Sequence, residues 1–363
     1  DAGLYLWLVK TNIENFSIWW NQFGNNFVSF LLDESSKPLA IPLWYETKAL
    51  YPYGSTLAFS DNFILPSITI YLLEQFGLSF VASWNCIILG ANVLNGYLTY
   101  RLCAQLSGSY LASILGGVCF MTWSWFGEHL GHPQLQFAFF IPLCFSIYFL
   151  LIRDLSTSRG FQLSLCLIAT FLTTVYYAIF ISVALVVLTL LTLINSQVRK
   201  PKFIFALSTG TIIGLIALLP FVLPYLHVQE AFGPRHLYEP YFFAATGYSY
   251  ISTSVYNWIY GGVTSSFSHI EGHLFPGIFV IITFLLFLWT SSIGRRNKMI
   301  AMLLVIECLV LGVLSHYVSQ DYSGSIRSLN YLAGALSWIA LLTGLYWFSK
   351  HCTNRDNSIK ISS

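Results

Sequence analysis

Apolar and polar positions alternate along this chain in blocks rather than singly. Long apolar runs cover about 82–103, 108–126, 134–152, 161–194, 203–226, 274–292, 299–316 and 330–349, with polar gaps between them. Most approach the ~20 residues that a helix needs to cross a bilayer, so the pattern predicts membrane-spanning helices. The run 161–194 is different. As one helix its 34 residues would extend ~51 Å at ~1.5 Å per residue, too far for a single crossing. Dividing it near Val175-Tyr176-Tyr177 gives two short crossings and nine in all. The stretch 62–76 contains Pro66 and is too short to span, which places it in the membrane interface. Residues 1–61 are polar and aromatic, expected to be partly helical, with Trp7, Trp19, Trp20 and Trp44 suited to that same interface.

Charge orients the pattern. One set of gaps holds Arg101, Arg153 and Arg159, the group Arg199, Lys200 and Lys202, the group Arg295, Arg296 and Lys298, and finally Lys350, Arg355 and Lys360. These are twelve of the seventeen Lys and Arg, accompanied only by Asp154 and Asp356 among the acids. Basic gaps face the cytoplasm. The other gaps hold Lys10, Lys37, Lys48, Arg235, Arg327, most of the acids and seven of the eight His, and are expected outside. The alternation holds only if 161–194 is divided, so charge and length support the same division. An external residue 1 also predicts a further helix upstream of Asp1, a tenth crossing.

Composition agrees: 56% apolar residues, 9% charged residues and a mean hydropathy of +0.67 lie outside the soluble range. The fold class expected is an all-α polytopic helical bundle in one transmembrane domain, 1–363. Within it lie a first external loop 1–61, a bundle 62–349 with an external loop 226–273, and a cytoplasmic tail 350–363. A net charge of +2, segregated by side, gives no reason to expect a nucleic-acid partner. Six of the seven Cys lie in or beside apolar runs as small hydrophobes, and no CxxC or Cys/His zinc spacing occurs.

The external gaps carry the candidate chemistry. Asp1 precedes Leu4-Tyr5-Leu6-Trp7, where a carboxylate can act as general base on a hydroxyl or hold a divalent cation, unless it is an ordinary interfacial acid. Tyr51-Pro52-Tyr53-Gly54 marks a turn that returns the loop toward Ser60-Asp61. Asp61 is either a second reactive carboxylate, sharing one metal ion with Asp1, or an N-cap of the helix that follows. Gly127-Glu128-His129-Leu130-Gly131-His132-Pro133 reads as a turn, with Gln134 and Gln136 entering the next run. His129 and His132, three apart with Glu128 beside them, have a spacing compatible with metal ligation on a helix, but Gly131 and Pro133 favour a polar turn that caps two helices. His269-Ile270-Glu271-Gly272-His273 alternates so that an extended segment shows all three polar side chains on one face, as weak metal ligands or substrate contacts. Arg235 and Arg327, the only external arginines, are suited to gripping a phosphate or to pairing with a nearby acid such as Glu239 or Asp321. Glu307 stands mid-run and is protonated, paired or functional.

In order along the chain, these features resemble the GT-C superfamily of polytopic membrane glycosyltransferases, and most closely its poorly characterised bacterial groups. The resemblance rests on the Asp opening the first external loop, Tyr-Pro-x-Gly before Ser60-Asp61, Gly131-His132 with Gln134, and Tyr176-Tyr177 at a hairpin tip. It continues with Phe232-Gly233-Pro234-Arg235, Glu271 before Leu274-Phe275-Pro276-Gly277, and Ile326-Arg327. It implies a polyprenyl-phosphate sugar as donor and an active face outside a bacterial cytoplasmic membrane. It also implies Asp1 as base or metal-positioning group, with Asp61 as second carboxylate and Mg or Mn as the cation they would share. Arg235 and Arg327 would neutralise the leaving phosphate, while His132, Gln134, Glu271 and His273 would line the substrate. Two departures stand out. Asp1 is followed by Ala2-Gly3 rather than a second acid, and no extramembranous C-terminal domain follows the last run. A transporter or flippase of a lipid-linked glycan, or a non-catalytic membrane assembly subunit, are the rival readings.

Overall fold

The computed structural model describes residues 2–32, 55–194, 200–233, 247–267 and 272–290. Their regular structure is entirely helical, with no strand among the described residues. Ten helices position the sites: α1 (Ala2–Leu32), α2 (Ile64–Gln75), α3 (Phe80–Ser107), α4 (Tyr110–Met121), α5 (Ser124–Glu128), α6 (Phe140–Asp154), α7 (Thr157–Phe171), α8 (Val175–Ile194), α9 (Lys200–Phe232) and α10 (Ile278–Thr290). They fall into two compact units. The first spans Asp1–Met121, Leu130–Val183 and Arg199–Pro234; the second spans Thr122–His129, Ala184–Val198 and Arg235–Ser363.

Among the described residues, two helices are long and apolar enough to cross a membrane, Val175–Leu193 and Lys200–Phe232. Only 17% of the apolar window of α9 is buried, so most of it faces outward. Its exposed face carries large side chains such as Ile204, Phe205, Ile212 and Ile216. Its packed face is small: Ala206, Gly210 and Gly214 lie against Gly160 and Ser164 of α7. A Cβ on Gly160 would collide with the Ala206 carbonyl oxygen, and one on Gly210 with the Gly160 carbonyl oxygen. Helices that associate in lipid gain little from burying apolar surface, and close backbone approach at small residues replaces that drive. The α3–α4 seam repeats the device. A Cβ on Gly117 would lie 2.6 Å from the Gly96 carbonyl oxygen.

The long apolar run does divide: α7 ends at Phe171 and α8 begins at Val175, beside the expected Tyr-Tyr pair. Elsewhere the boundaries move. Residues 2–32 form one 31-residue helix, more regular than a partly helical loop. The run expected to start at 134 becomes helical only at Phe140, because 133–136 form a 3-10 turn. There the Gln136 carbonyl accepts a hydrogen bond from Asn95 Nδ2 at 2.9 Å. Within 62–76, helix α2 buries Ile64, Pro66, Ser67 and Ile70 and packs on α1 and α3. The expected helices over 299–316 and 330–349, and the tail, lie outside the described residues.

Candidate functional site

In the first unit, the segment Ser60–Leu65 is a hub onto which four helices bond. It is entered through a 3-10 turn, Thr56–Phe59, and left through Phe63, whose backbone is left-handed at φ 49°. That conformation costs an L residue ~1–2 kcal/mol. Phe63 is held in it by its surroundings. Its ring is fully buried, edge-on to Tyr5 and Phe137 at 5.5 Å each, with Trp84 at 6.2 Å. Backbone strain of this kind persists where the surrounding packing over-determines it, often beside a site.

Asp61 is 3% exposed. Its Oδ1 accepts the backbone N–H of Val175, the first residue of α8, at 2.8 Å. Its Oδ2 accepts the Tyr5 hydroxyl at 3.4 Å, at the long end of hydrogen bonding. The N-terminus of α8 presents unpaired N–H groups and a partial positive charge, both favourable to the carboxylate. Burial, and then the charge of Asp61, push the Tyr5 phenol well above its ordinary value. The phenol therefore stays protonated as a donor.

Asp61 thus caps a helix, although not the one that follows it in sequence. The N–H of Ile64 at the start of α2 is accepted by Asn62 Oδ1 at 3.3 Å. Asn62 Nδ2 donates to the Phe171 carbonyl at 2.9 Å, and the Leu65 N–H donates to the Leu172 carbonyl at 2.9 Å. From α1, Asn12 Nδ2 donates to the Asn62 carbonyl at 2.8 Å; from α9, the Tyr225 hydroxyl donates to the Ser60 carbonyl at 3.2 Å.

The turn that carries His132 and Gln134 meets the same helix end through Leu135. Gln134 is buried, and its Oε1 has no hydrogen-bond partner among the described residues. The neighbouring Leu135 carbonyl accepts the Tyr177 hydroxyl at 2.8 Å. The first turn of α8 therefore gathers Asp61 from one side and the His132–Gln136 turn from another. His132 is half-buried at the head of that turn.

The second unit contains a different pair. His273 Nδ1 lies 2.9 Å and 3.1 Å from the two carboxylate oxygens of Glu128, and both side chains are less than a tenth exposed. His273 Nε2 faces the Ser265 carbonyl at 3.4 Å. Both ring nitrogens thus face oxygen atoms. Glu128 ends α5, where Trp125 stacks on His129 at 4.4 Å and the Trp125 carbonyl lies 2.8 Å from His129 Nδ1. Glu128 and His273 each stand in a polar segment expected outside, and nothing in either segment pairs them. The missing information was the pairing itself, across 145 residues.

Asp1, Arg235, Arg327 and Glu271 lie outside the described residues, as do His269 and Glu307. Among the described residues no group of three His, Cys, Asp or Glu side chains is arranged to hold a metal ion. Among the described residues, Asp61 accepts a backbone N–H and a phenol O–H. Among known families, DUF6311, described as a domain of unknown function, matches residues 28–333. No curated protein and no solved structure matches the chain.

Proposed function

The chain belongs to the DUF6311 family, a domain of unknown function, and from its own residues we propose that it is a polytopic membrane glycosyltransferase of GT-C type. In this reading the chain crosses a bacterial cytoplasmic membrane about nine times. A sugar passes from a polyprenyl-phosphate donor to an acceptor on the external face. The acceptor hydroxyl oxygen bonds to the anomeric carbon while the bond from that carbon to the phosphate oxygen breaks. Asp1 takes the hydroxyl proton, and Arg235 and Arg327 neutralise the departing polyprenyl phosphate. His132, Gln134, Glu271 and His273 line the substrate. Asp61, anchored by Val175, is the second carboxylate and shapes the site beside Asp1.

The observation that carries this reading is the location of the buried carboxylate. Asp61 is bonded at the N-terminal end of α8, one of the two candidate spans, rather than midway along it. A transporter gathers its polar groups near the midplane, among broken helices. A transferase acting on a lipid-linked donor needs them at the membrane surface, where the phosphate lies.

The test is mass spectrometry of the host's envelope glycans and lipid-linked sugars, comparing the gene deletion with Asp1→Asn. Loss of one glycan modification in both strains, with its polyprenyl-phosphate donor accumulating and the variant still in the membrane, is expected. A deletion phenotype that Asp1→Asn does not reproduce would move the reading to transport or assembly.

A further inference from the structure

Residues 247–267 contain no Asp, Glu, Lys, Arg or His. At their tip stand some of the most exposed large hydrophobic residues described: Tyr256 at 90% and Trp258 at 93%, flanked by Val255, Ile259 and Val263. Water-facing loops are usually polar, and an exposed aromatic cluster of this kind marks an interaction surface.

The tip is rigidly presented. Ser254 Oγ accepts the Tyr256 N–H at 3.1 Å, and Asn257 Oδ1 accepts the N–H groups of Ile259 and Tyr260 at 3.1 Å and 3.3 Å. The Gly261 N–H closes the turn onto the Asn257 carbonyl at 2.7 Å. Gly261 packs so tightly on the Ser254 carbonyl that no Cβ fits there. Below the tip, Ser249, Ser252 and Thr253 are fully buried.

The base of the loop is bonded to the foot of an apolar helix in the same unit. Leu274 N–H donates to the Ser249 carbonyl at 2.8 Å and Phe275 N–H to the Ser252 carbonyl at 3.2 Å. Trp123 Nε1 donates to the Phe275 carbonyl at 3.0 Å, and the Tyr260 ring meets Phe275 edge-on at 5.1 Å. Three residues beyond Phe275, α10 begins, with Ile278, Phe279, Ile282 and Leu286 exposed along it.

We propose that the 255–263 tip rests in the headgroup layer of a lipid bilayer, with Trp258 and Tyr256 at the boundary between headgroups and hydrocarbon. Trp and Tyr favour that boundary because each joins an apolar ring to one hydrogen-bonding group. The absence of charge removes any need for an anionic lipid and leaves a charged protein partner no ion pair to form. The bonds at 274–275 hold the tip at the end of α10, so a helix entering hydrocarbon carries the tip to the same surface. The inference rests on the membrane reading of the chain and is independent of the transferase chemistry.

The experiment uses the full chain in phosphatidylcholine vesicles, with the lipid brominated either near the headgroup or near the chain end. The difference in emission between the wild type and Trp258→Phe isolates one indole. That residue is exposed, so the substitution leaves the core intact, and equal retention of both proteins in carbonate-washed vesicles checks this. Expected is strong quenching of the difference signal by the shallow bromolipid, with little quenching by aqueous iodide. Quenching by iodide but not by bromolipid would place the tip in water, and resistance to both would place it under protein, such as a second copy; either overturns the proposal while leaving the membrane reading intact. Release of the wild type by the carbonate wash would overturn that reading, and the proposal with it.

Discussion

Gly160→Ala adds a single methyl group, and it is expected to loosen the first unit measurably. The new Cβ would collide with the Ala206 carbonyl oxygen and sit 2.8 Å from the carbonyl carbon behind it. Comfortable separations between carbon atoms are ~3.5–4.0 Å. The obstructing atoms are helix backbone, so no side chain can swing aside and α7 and α9 must part by roughly 1 Å. Overpacking of this kind costs ~1–3 kcal/mol, and an immovable neighbour puts it at the upper end. Ala is a better helix former than Gly by ~1 kcal/mol, which offsets part of the loss. The net expectation is a loss of ~1–2 kcal/mol. For a chain of this size, at ~2.1 cal/mol/K per residue, that lowers the midpoint by roughly 1–3 °C in detergent, followed by heating and gel filtration. Gly210→Ala, which meets the Gly160 carbonyl from the other side, should act in the same direction. The double variant should lose less than the sum, because one separation relieves both clashes. Gly90→Ala is the control: nothing lies within 4 Å of its Cβ position on α3, so its midpoint should stay level or rise. A Gly160→Ala protein melting with the wild type would refute the close seam.

Three further expectations follow from the buried polar groups. Asp61→Ala leaves the Val175 N–H and the Tyr5 hydroxyl without their acceptor and should cost ~1–3 kcal/mol for each group stranded, whereas Asp61→Asn keeps an oxygen for Val175 and should cost less; equal midpoints for the two variants would exclude the cap. The raised Tyr5 phenol stabilises the fold fully below its ordinary value of 10.0 and loses that contribution as pH rises above it. Tyr5→Phe should therefore flatten the alkaline fall in stability, and an unchanged alkaline profile would count against the buried phenol. His273→Ala leaves the buried Glu128 side chain without its imidazole partner, with an expected loss of ~1–3 kcal/mol, and adding Glu128→Gln should restore part of it. Simple additivity in that cycle would mean the two side chains do not interact.

Much of the helical framework was legible in sequence because it depends on runs of like residues. The division between Phe171 and Val175 followed from length and charge alone. What stayed hidden was pairwise. Asp61 is suited to an N-cap, but nothing near it reveals that the amide it accepts is 114 residues away. The Gly210-x-x-x-Gly214 and Gly160-x-x-x-Ser164 spacings are both visible on paper, but nothing in either says that the one packs on the other. Glu128 and His273 each read as one polar residue among several in an external turn. The late start of α6 depended on Asn95, a residue of another helix, competing for the Gln136 carbonyl. Phe63 was the least predictable, since an aromatic residue gives no hint of a left-handed backbone.

The hub at 60–65 also bears on how the chain is assembled as it is made. The corner between α7 and α8 offers two carbonyls and one amide that find their partners only in a segment synthesised more than a hundred residues earlier. Translation runs from the N-terminus, so those partners are in place before the corner emerges. A fragment beginning at α3 would carry the corner without its mould, and supplying residues 2–75 as a separate chain should rescue it.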